Sequence, residues 1–223
     1  MANRAPIEVD EWYHCYNRGV DKRKVFQSHR DYQRMLVLMY VANDTTPIRV
    51  LNLGNKQLGE IISSATRARV PLVDIGAYSL MPNHFHFLLK EIQAGGIALF
   101  MQKVFTGYTM YFNKKAERTG ALFAGTFKSK HVAGDDYIRQ LVPYVHLNCI
   151  ELFDANWKTG GSIVAIEQRL RKYPYSSLPD FLGTERPERS LLGTSIFKLF
   201  EFPIDLDYML DEARAYYAST SKV

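Results

Sequence analysis

Two histidines stand two residues apart in the apolar segment LMPNHFHFLLK, residues 80–90. In a β-strand, alternate side chains point to opposite faces, so His84 and His86 would share one face. The phenylalanines that alternate with them would then face a core. Two imidazoles side by side on a rigid strand can chelate a metal ion, and the pattern therefore predicts a metal-binding pair.

A second pair with chemical potential lies in YVHLN, where Tyr144 and Asn148 are four residues apart. On a helix, residues at this spacing project from the same face. The Asn148 amide oxygen is a candidate third ligand, and two imidazoles with one amide suit Mg²⁺ or Mn²⁺ better than a closed zinc site. Tyr144 is then a candidate nucleophile toward a metal-polarised phosphate, which would give a covalent phosphotyrosine.

The elements that must position these residues follow from hydrophobic periodicity and turn signals. Alternation predicts strands over residues 11–18, 70–81, 84–92 and within 125–134, with a Pro82–Asn83 turn between the second and third. Helical spacing predicts helices over residues 28–44, 97–118, 135–153 and 205–220. The order β-α-β-β-α-β predicts an α+β fold: a ferredoxin-like split βαβ core with a four-stranded antiparallel sheet. A further helix carrying Tyr144 and a helical C-terminal extension complete it.

The bulk composition limits the class of protein. The chain has 223 residues, a formal net charge of +5 and two cysteines without a CxxC motif. A positive charge favours an anionic partner, and the sparse cysteines indicate a reducing, cytoplasmic compartment. No apolar run approaches the roughly 20 residues of a membrane span, so we expect no membrane insertion.

The segment LMPNHFHFLL resembles the HUH motif of the single-tyrosine transposases, in particular the REP-associated tyrosine transposases. Three further segments follow that family's order across roughly residues 11–150: YNRGVDKRKVFQSHRDYQRML, LFAGTFKSKHV and DDYIRQLVPYVHLN. The resemblance implies a ferredoxin-like enzyme that nicks and rejoins single-stranded or hairpin DNA through a 5′-phosphotyrosine, using Mg²⁺ or Mn²⁺. By position it makes His84 and His86 metal ligands and Tyr144 the nucleophile. Asn148 becomes the polar residue one turn on.

The resemblance also implies the domain organisation. Residues 1–155 would form the catalytic domain, and residues 156–223 a mostly helical C-terminal extension that favours a monomer, with a dimer left open. One departure is that the family's usual RYIHLNPV reads PYVHLNCI here. Pro143 lacks a backbone donor, so we expect it to kink the helix just before the nucleophile.

The basic residues predict a nucleic-acid interface. They follow the first strand, end the long helix and decorate the fourth strand, bordering elements that converge on the histidine pair. The candidate DNA contacts are Arg18, Lys22, Arg23, Lys24, Lys114, Lys115, Arg118, Lys128, Lys130 and His131.

Alternatives remain open from the residues alone. Asn148 could satisfy backbone groups at a helix end rather than bind a metal. The whole chain could be a non-catalytic nucleic-acid-binding ferredoxin-like domain, or a metal-dependent hydrolase that uses water. His146 points to another helix face than Tyr144 and is expected outside the site. Cys149 is expected to be a buried small hydrophobe.

Overall fold

The computed structural model describes residues 6–46, 54–154, 157, 163–200 and 203–220. Its centre is one antiparallel sheet of four strands in the order β2-β3-β1-β4. The strands are β1 (Trp12–Arg18), β2 (Val73–Met81), β3 (His84–Glu91) and β4 (Lys128–Val132). The predicted α+β class and four-stranded ferredoxin-like sheet are confirmed.

Seven α-helices are present in the described residues. They are α1 (His29–Ala42), α2 (Leu58–Ser63), α3 (Gly96–Lys115), α4 (Asp135–Leu147), α5 (Ile163–Arg171), α6 (Leu178–Phe181) and α7 (Leu206–Thr220). A 3₁₀ helix, Asn148–Leu152, continues directly from α4, and others cover Val20–Lys22, Pro187–Leu191 and Ile196–Lys198. None of the helices in these ranges is both long and apolar enough to cross a membrane.

The alternation in β3 sorts its side chains between two layers. Phe85 stacks on Phe105 of α3 with ring centroids 4.4 Å apart, and Phe87 lies near Phe100 of the same helix. The histidines of β3 face the other way, toward α4. The tight Pro82–Asn83 turn joins β2 to β3, as predicted, and Met81 pairs directly with His84. This short connection fixes the register, and therefore which face each side chain takes.

A buried carboxylate joins the two helices on the phenylalanine side. Asp31 in the first turn of α1 is fully buried and accepts hydrogen bonds from the Lys115 ammonium at 2.8 Å on both oxygens. It also accepts the Tyr111 hydroxyl at 2.8 Å and the backbone N–H groups of Gln27 and Ser28. α1 is thus capped and held to α3 through one charged group.

The C-terminal region covers the outer edge of β2. Backbone hydrogen bonds join Leu80 to Tyr175, Ser177 to Tyr78, and Gly193 to Ile75 at 2.9, 2.9 and 3.0 Å. An edge strand left bare would offer unpaired backbone groups, so these bonds complete the sheet. The predicted domain boundary between residues 155 and 156 lies outside the described residues and stays a prediction.

Candidate active site

Both predicted histidine ligands lie on the sheet face opposite α1 and α3. The two rings meet edge to face with centroids 5.2 Å apart. His86 is 7% exposed and pairs directly with Tyr16 of β1, whereas His84 is half-buried at the start of β3. The strand therefore places the two imidazoles as neighbours on one face, as the sequence predicted.

A hydrogen-bond partner holds the Nδ1 atom of each ring. His84 Nδ1 lies 2.7 Å from the Asn83 side-chain oxygen, and His86 Nδ1 lies 2.8 Å from Nε2 of His14. An amide oxygen only accepts, so the His84 Nδ1 carries the proton and Nε2 keeps the lone pair. Partners of this kind orient the imidazole ligands in metal sites.

The histidines are neutral at neutral pH. Burial lowers the pKa of His86 well below 6.5, and the neighbouring His14 and His84 lower it further. Burial also lowers the pKa of His84, an effect that Glu151 opposes and Arg18 reinforces. Neutral imidazole is the form that can donate a lone pair, and burial favours that form in both rings.

Tyr144 of α4 lies over His86 and over a third histidine, His14 of β1. Its ring makes edge-to-face contacts with His86 at 5.6 Å and with His14 at 5.8 Å between centroids. Burial raises the pKa of the phenol, and Glu151 raises it further, while the Asn148 side chain opposes the shift by hydrogen bonding. The phenol is therefore protonated at neutral pH and must lose its proton when it attacks.

Asn148 is the first residue of the 3₁₀ helix and is 4% exposed. Its amide nitrogen donates to the Tyr144 backbone carbonyl at 2.8 Å. A carbonyl oxygen can only accept, so the amide nitrogen is the group engaged there. The backbone role considered above is thus present, and it is compatible with the predicted ligand role of the oxygen.

Pro143 lies inside α4, and the kink expected there stays a prediction. α4 runs from Asp135 to Leu147 with the proline inside it. His146 points away from the site, as predicted: its Nε2 lies 2.7 Å from the Ser177 hydroxyl, and its ring lies against Phe181. Cys149 is buried, also as predicted.

The predicted DNA-contacting cations fall into separate groups. Residues directly opposite each other on antiparallel strands share a face. By that register Arg18 lies beside His84, and Lys128 and Lys130 project from the site face of β4. The Lys130 ammonium also lies 5.2 Å from the centre of the Tyr137 ring.

The other candidates lie elsewhere. Lys115 is bound to Asp31, and Lys114 lines a groove on the outer side of α1 and α3. Arg118 donates to the Asn113 side chain and the Ala121 carbonyl. His131 lies on the opposite sheet face, 2.8 Å from Glu11. The loop after β1 exposes Lys22, Arg23 and Lys24, and Arg23 pairs with Asp21 at 3.4 Å. DNA contact by each of these residues stays a prediction.

Two residues of the site were missed by sequence reasoning. His14 is 6% exposed and bonds to His86, although the two lie 72 positions apart in the chain. Glu151 acts electrostatically on both His84 and Tyr144. Its spacing of three from Asn148 was a usable signal, because side chains three apart are eclipsed on a 3₁₀ helix.

The predicted donor set would suit a divalent cation that keeps open coordination positions, and this role stays a prediction. No cluster of three or more His, Cys, Asp or Glu side chains that could hold a metal ion occurs among the residues the structure describes. The predicted set is instead two neutral imidazoles and one amide oxygen. Fewer than four protein ligands leave positions for substrate oxygens and water, as in a catalytic rather than a structural site.

Comparison with known proteins adds one fold-level observation. No protein-family model and no curated protein matches the chain. A solved structure of a REP-associated tyrosine transposase bound to a REP hairpin aligns over 92% of this chain and 99% of that chain, with 11% identity and a TM-score of 0.47. At these values the likeness carries no weight for function, which must be inferred from the residues of the site.

Proposed function

We propose that the chain is a metal-dependent single-strand DNA nickase and strand transferase of the HUH single-tyrosine transposase type. The observation that carries this proposal is the position of Tyr144, whose ring centre lies 5.6 Å from that of His86. A nucleophile next to two neutral imidazoles suits phosphoryl transfer better than simple DNA binding.

The residues divide the work of the reaction. The Tyr144 oxygen attacks the scissile phosphorus and its proton passes to solvent water, which also supplies the proton that the 3′ oxygen takes up. The phosphorus–O3′ bond breaks, and the departing 3′ oxygen takes up a proton to leave as a hydroxyl. The DNA then carries a 5′-phosphotyrosine, and later attack by a 3′-hydroxyl restores the phosphodiester without ATP.

The proposed metal ligands would provide the electrostatic stabilisation of the reaction. His84, His86 and the Asn148 oxygen would hold Mg²⁺ or Mn²⁺, which polarises a phosphate oxygen when bound. Because burial raises the pKa of Tyr144, proton loss from the phenol is costly in the resting protein. The Asn148 side chain opposes that shift, and it is therefore suited to stabilise the developing phenolate.

The substrate proposed is single-stranded or hairpin DNA. Arg18, Lys128 and Lys130 share the site face and can contact phosphates on either side of the scissile bond. In a fully paired duplex, each strand is held against its complement. Its phosphates are therefore kept away from in-line attack by a tyrosine that packs on the sheet. The proposed form is a monomer acting with its own tyrosine, which the C-terminal extension favours, and a dimer is the alternative.

The rival functions are weaker on this geometry. Ferredoxin-like RNA-binding sheets present aromatic side chains on an open face. Here α4 contacts β2 and β3 on that face, and buried histidines occupy its centre. A hydrolase that uses water as its nucleophile would have no need of a tyrosine in contact with the buried histidines His14 and His86.

The test is incubation of the protein with end-labelled imperfect-hairpin oligonucleotides and Mn²⁺, followed by a denaturing gel. We expect a slowly migrating protein–DNA adduct that EDTA prevents and that a fully paired duplex does not give. Cleavage without an adduct would indicate the hydrolase. Binding without cleavage across a broad oligonucleotide pool would indicate the non-catalytic domain.

A further inference from the structure

His14 and His86 form a buried imidazole pair that the catalytic scheme above does not use. His14 Nε2 lies 2.8 Å from His86 Nδ1, and the rings stack with centroids 5.1 Å apart at an interplanar angle of 19°. His86 faces Tyr16 directly across the ladder, so His14 reaches it diagonally from the next position on the same face of β1.

The direction of this hydrogen bond decides what His86 can do. If His14 Nε2 carries the proton, His86 accepts at Nδ1 and, being neutral, carries its own proton on Nε2. That nitrogen then has no lone pair for a metal. If His86 Nδ1 carries the proton and donates, its Nε2 is free to coordinate.

We propose that His14 is a positioning residue that accepts the His86 Nδ1 proton and so fixes His86 as the tautomer that presents Nε2 to the metal. The inference rests on the proposed function and deepens it. His14 would do for His86 what the Asn83 side-chain oxygen does for His84 at 2.7 Å. The site would then hold two imidazoles set in the same tautomer by two different partners.

The two imidazole rings also form the surface against which the proposed nucleophile packs. Tyr144 makes edge-to-face contacts with both His14 and His86, so the two rings together form the surface beneath the phenol. Loss of His14 would leave the buried His86 N–H without its acceptor and remove half of that surface. Both effects displace the ligand and the tyrosine relative to each other.

The first measurement is histidine ¹⁵N NMR of the metal-free protein at neutral pH, which reports the tautomer of each ring. We expect both His86 and His14 to carry their proton on Nδ1. A His86 that carries it on Nε2 in the wild-type protein would overturn the inference. This measurement requires no DNA, no metal and no activity.

The second measurement is Mn²⁺ affinity, by calorimetry and by electron paramagnetic resonance, in matched variants. His14→Phe keeps a flat ring but has no acceptor, and we expect it to weaken Mn²⁺ binding about 10- to 100-fold and to mix the His86 tautomers. His14→Gln places an amide oxygen near the Nε2 position and should restore most of the affinity. His29→Phe changes an exposed histidine that begins α1 and bonds to Tyr175, and it should leave Mn²⁺ affinity unchanged.

The outcomes separate the inference from the proposed function. Unchanged Mn²⁺ affinity and tautomer in His14→Phe would overturn the role of His14 even if the wild-type protein forms the adduct. A wild-type protein that binds no Mn²⁺ and forms no adduct would overturn the proposed function, and the NMR would still decide the tautomer. If His14→Phe does not fold by circular dichroism, the wild-type NMR and the His14→Gln variant decide the question.

Discussion

The two faces of the sheet bury polar groups in opposite ways. Toward α1 and α3, the buried Asp31 stays charged because Lys115, Tyr111 and two backbone amides all donate to it. Toward α4, the buried histidines contact one another, and burial lowers the pKa of His14 to about 4. The face toward α1 and α3 buries a charged carboxylate together with its donors, whereas the face toward α4 buries imidazoles that stay uncharged.

This difference in buried polar groups distinguishes a cluster that stabilises the fold from a cluster that could take part in a reaction. A buried charge with every donor in place is stable but has no capacity left for a ligand. Neutral imidazoles in contact retain lone pairs and can accept a cation from solvent without first losing a proton.

The largest effect is expected from the nucleophile itself. Tyr144→Phe removes one oxygen, and we expect the covalent adduct to disappear while hairpin DNA binding stays within about threefold, because phosphate contacts remain. Denaturing gels would measure the adduct, and filter binding the affinity.

Tyr137→Phe is the matched control on the same helix. The Tyr137 hydroxyl is buried and has no hydrogen-bond partner within the described parts of the chain, so it is poorly placed to reach a phosphate. We expect this variant to retain the adduct. The reverse result would mean that Tyr137 attacks and that the proposed ligand role of Asn148 is wrong.

The next largest effect is expected from the two histidines that are proposed as metal ligands on the sheet face toward α4. His84→Ala and His86→Ala should each reduce the nicking rate by more than about 100-fold, because each removes a proposed metal ligand. Circular dichroism should show an intact fold. His131→Ala, on the opposite sheet face, should reduce the rate far less. Full Mn²⁺-dependent nicking by either ligand variant would contradict the proposed metal site.

On the sheet face toward α1 and α3, a substitution at the buried carboxylate should change the stability of the protein rather than its activity. Asp31→Asn removes the charge that Lys115 binds, and we expect the free energy of unfolding at pH 7 to fall by about 2 kcal/mol in urea titrations. The exposed Asp136→Asn should change it by less than about 0.5 kcal/mol. Equal stability of the Asp31→Asn and wild-type proteins would show that the pair contributes nothing net.

The same variant carries a pH signature. Burial by itself raises the pKa of Asp31, but the hydrogen bonds from Lys115, Gln27 and Tyr111 outweigh it and leave the pKa below its usual 3.8. A carboxyl group with a lowered pKa stabilises the fold above its unfolded value and loses that contribution as the pH falls through the folded value. The difference between wild type and Asp31→Asn should therefore be constant near neutrality and shrink only below about pH 4.

Short-range signals in the sequence predicted most of the fold. Alternation placed His84 and His86 on one face, and the exclusion of His146 followed from helical geometry. Helical spacing placed Asn148 one turn after Tyr144, although Asn148 begins the 3₁₀ helix that follows α4. Each of these statements depends on residues within about one helical turn or a few strand positions.

Long-range pairing determined what the sequence could not predict. His14 meets His86 only because β1 pairs with β3 in one register, which no local pattern specifies. Lys115 was predicted to contact DNA because its neighbours are basic, but its partner Asp31 lies 84 positions earlier. A charge run shows that cations are present, and the tertiary fold decides which of them are already paired.

The smallest effect concerns the cations on the two sides of the sheet. Lys128 and Lys130 project from the site face, whereas Lys114 lines the groove outside α1 and α3. Removing one lysine that binds a phosphate should reduce the slope of log affinity against log salt by about 0.7 for a single strand. We therefore expect Lys128→Gln with Lys130→Gln to lower the slope by about 1.4, and Lys114→Gln to change it by less than half of the value for one phosphate. Hairpin binding measured from low to moderate salt would give both numbers. Equal slope changes per lysine would mean that DNA wraps past the site to the helical side, and an unchanged slope in the double variant would remove the site face from the DNA path.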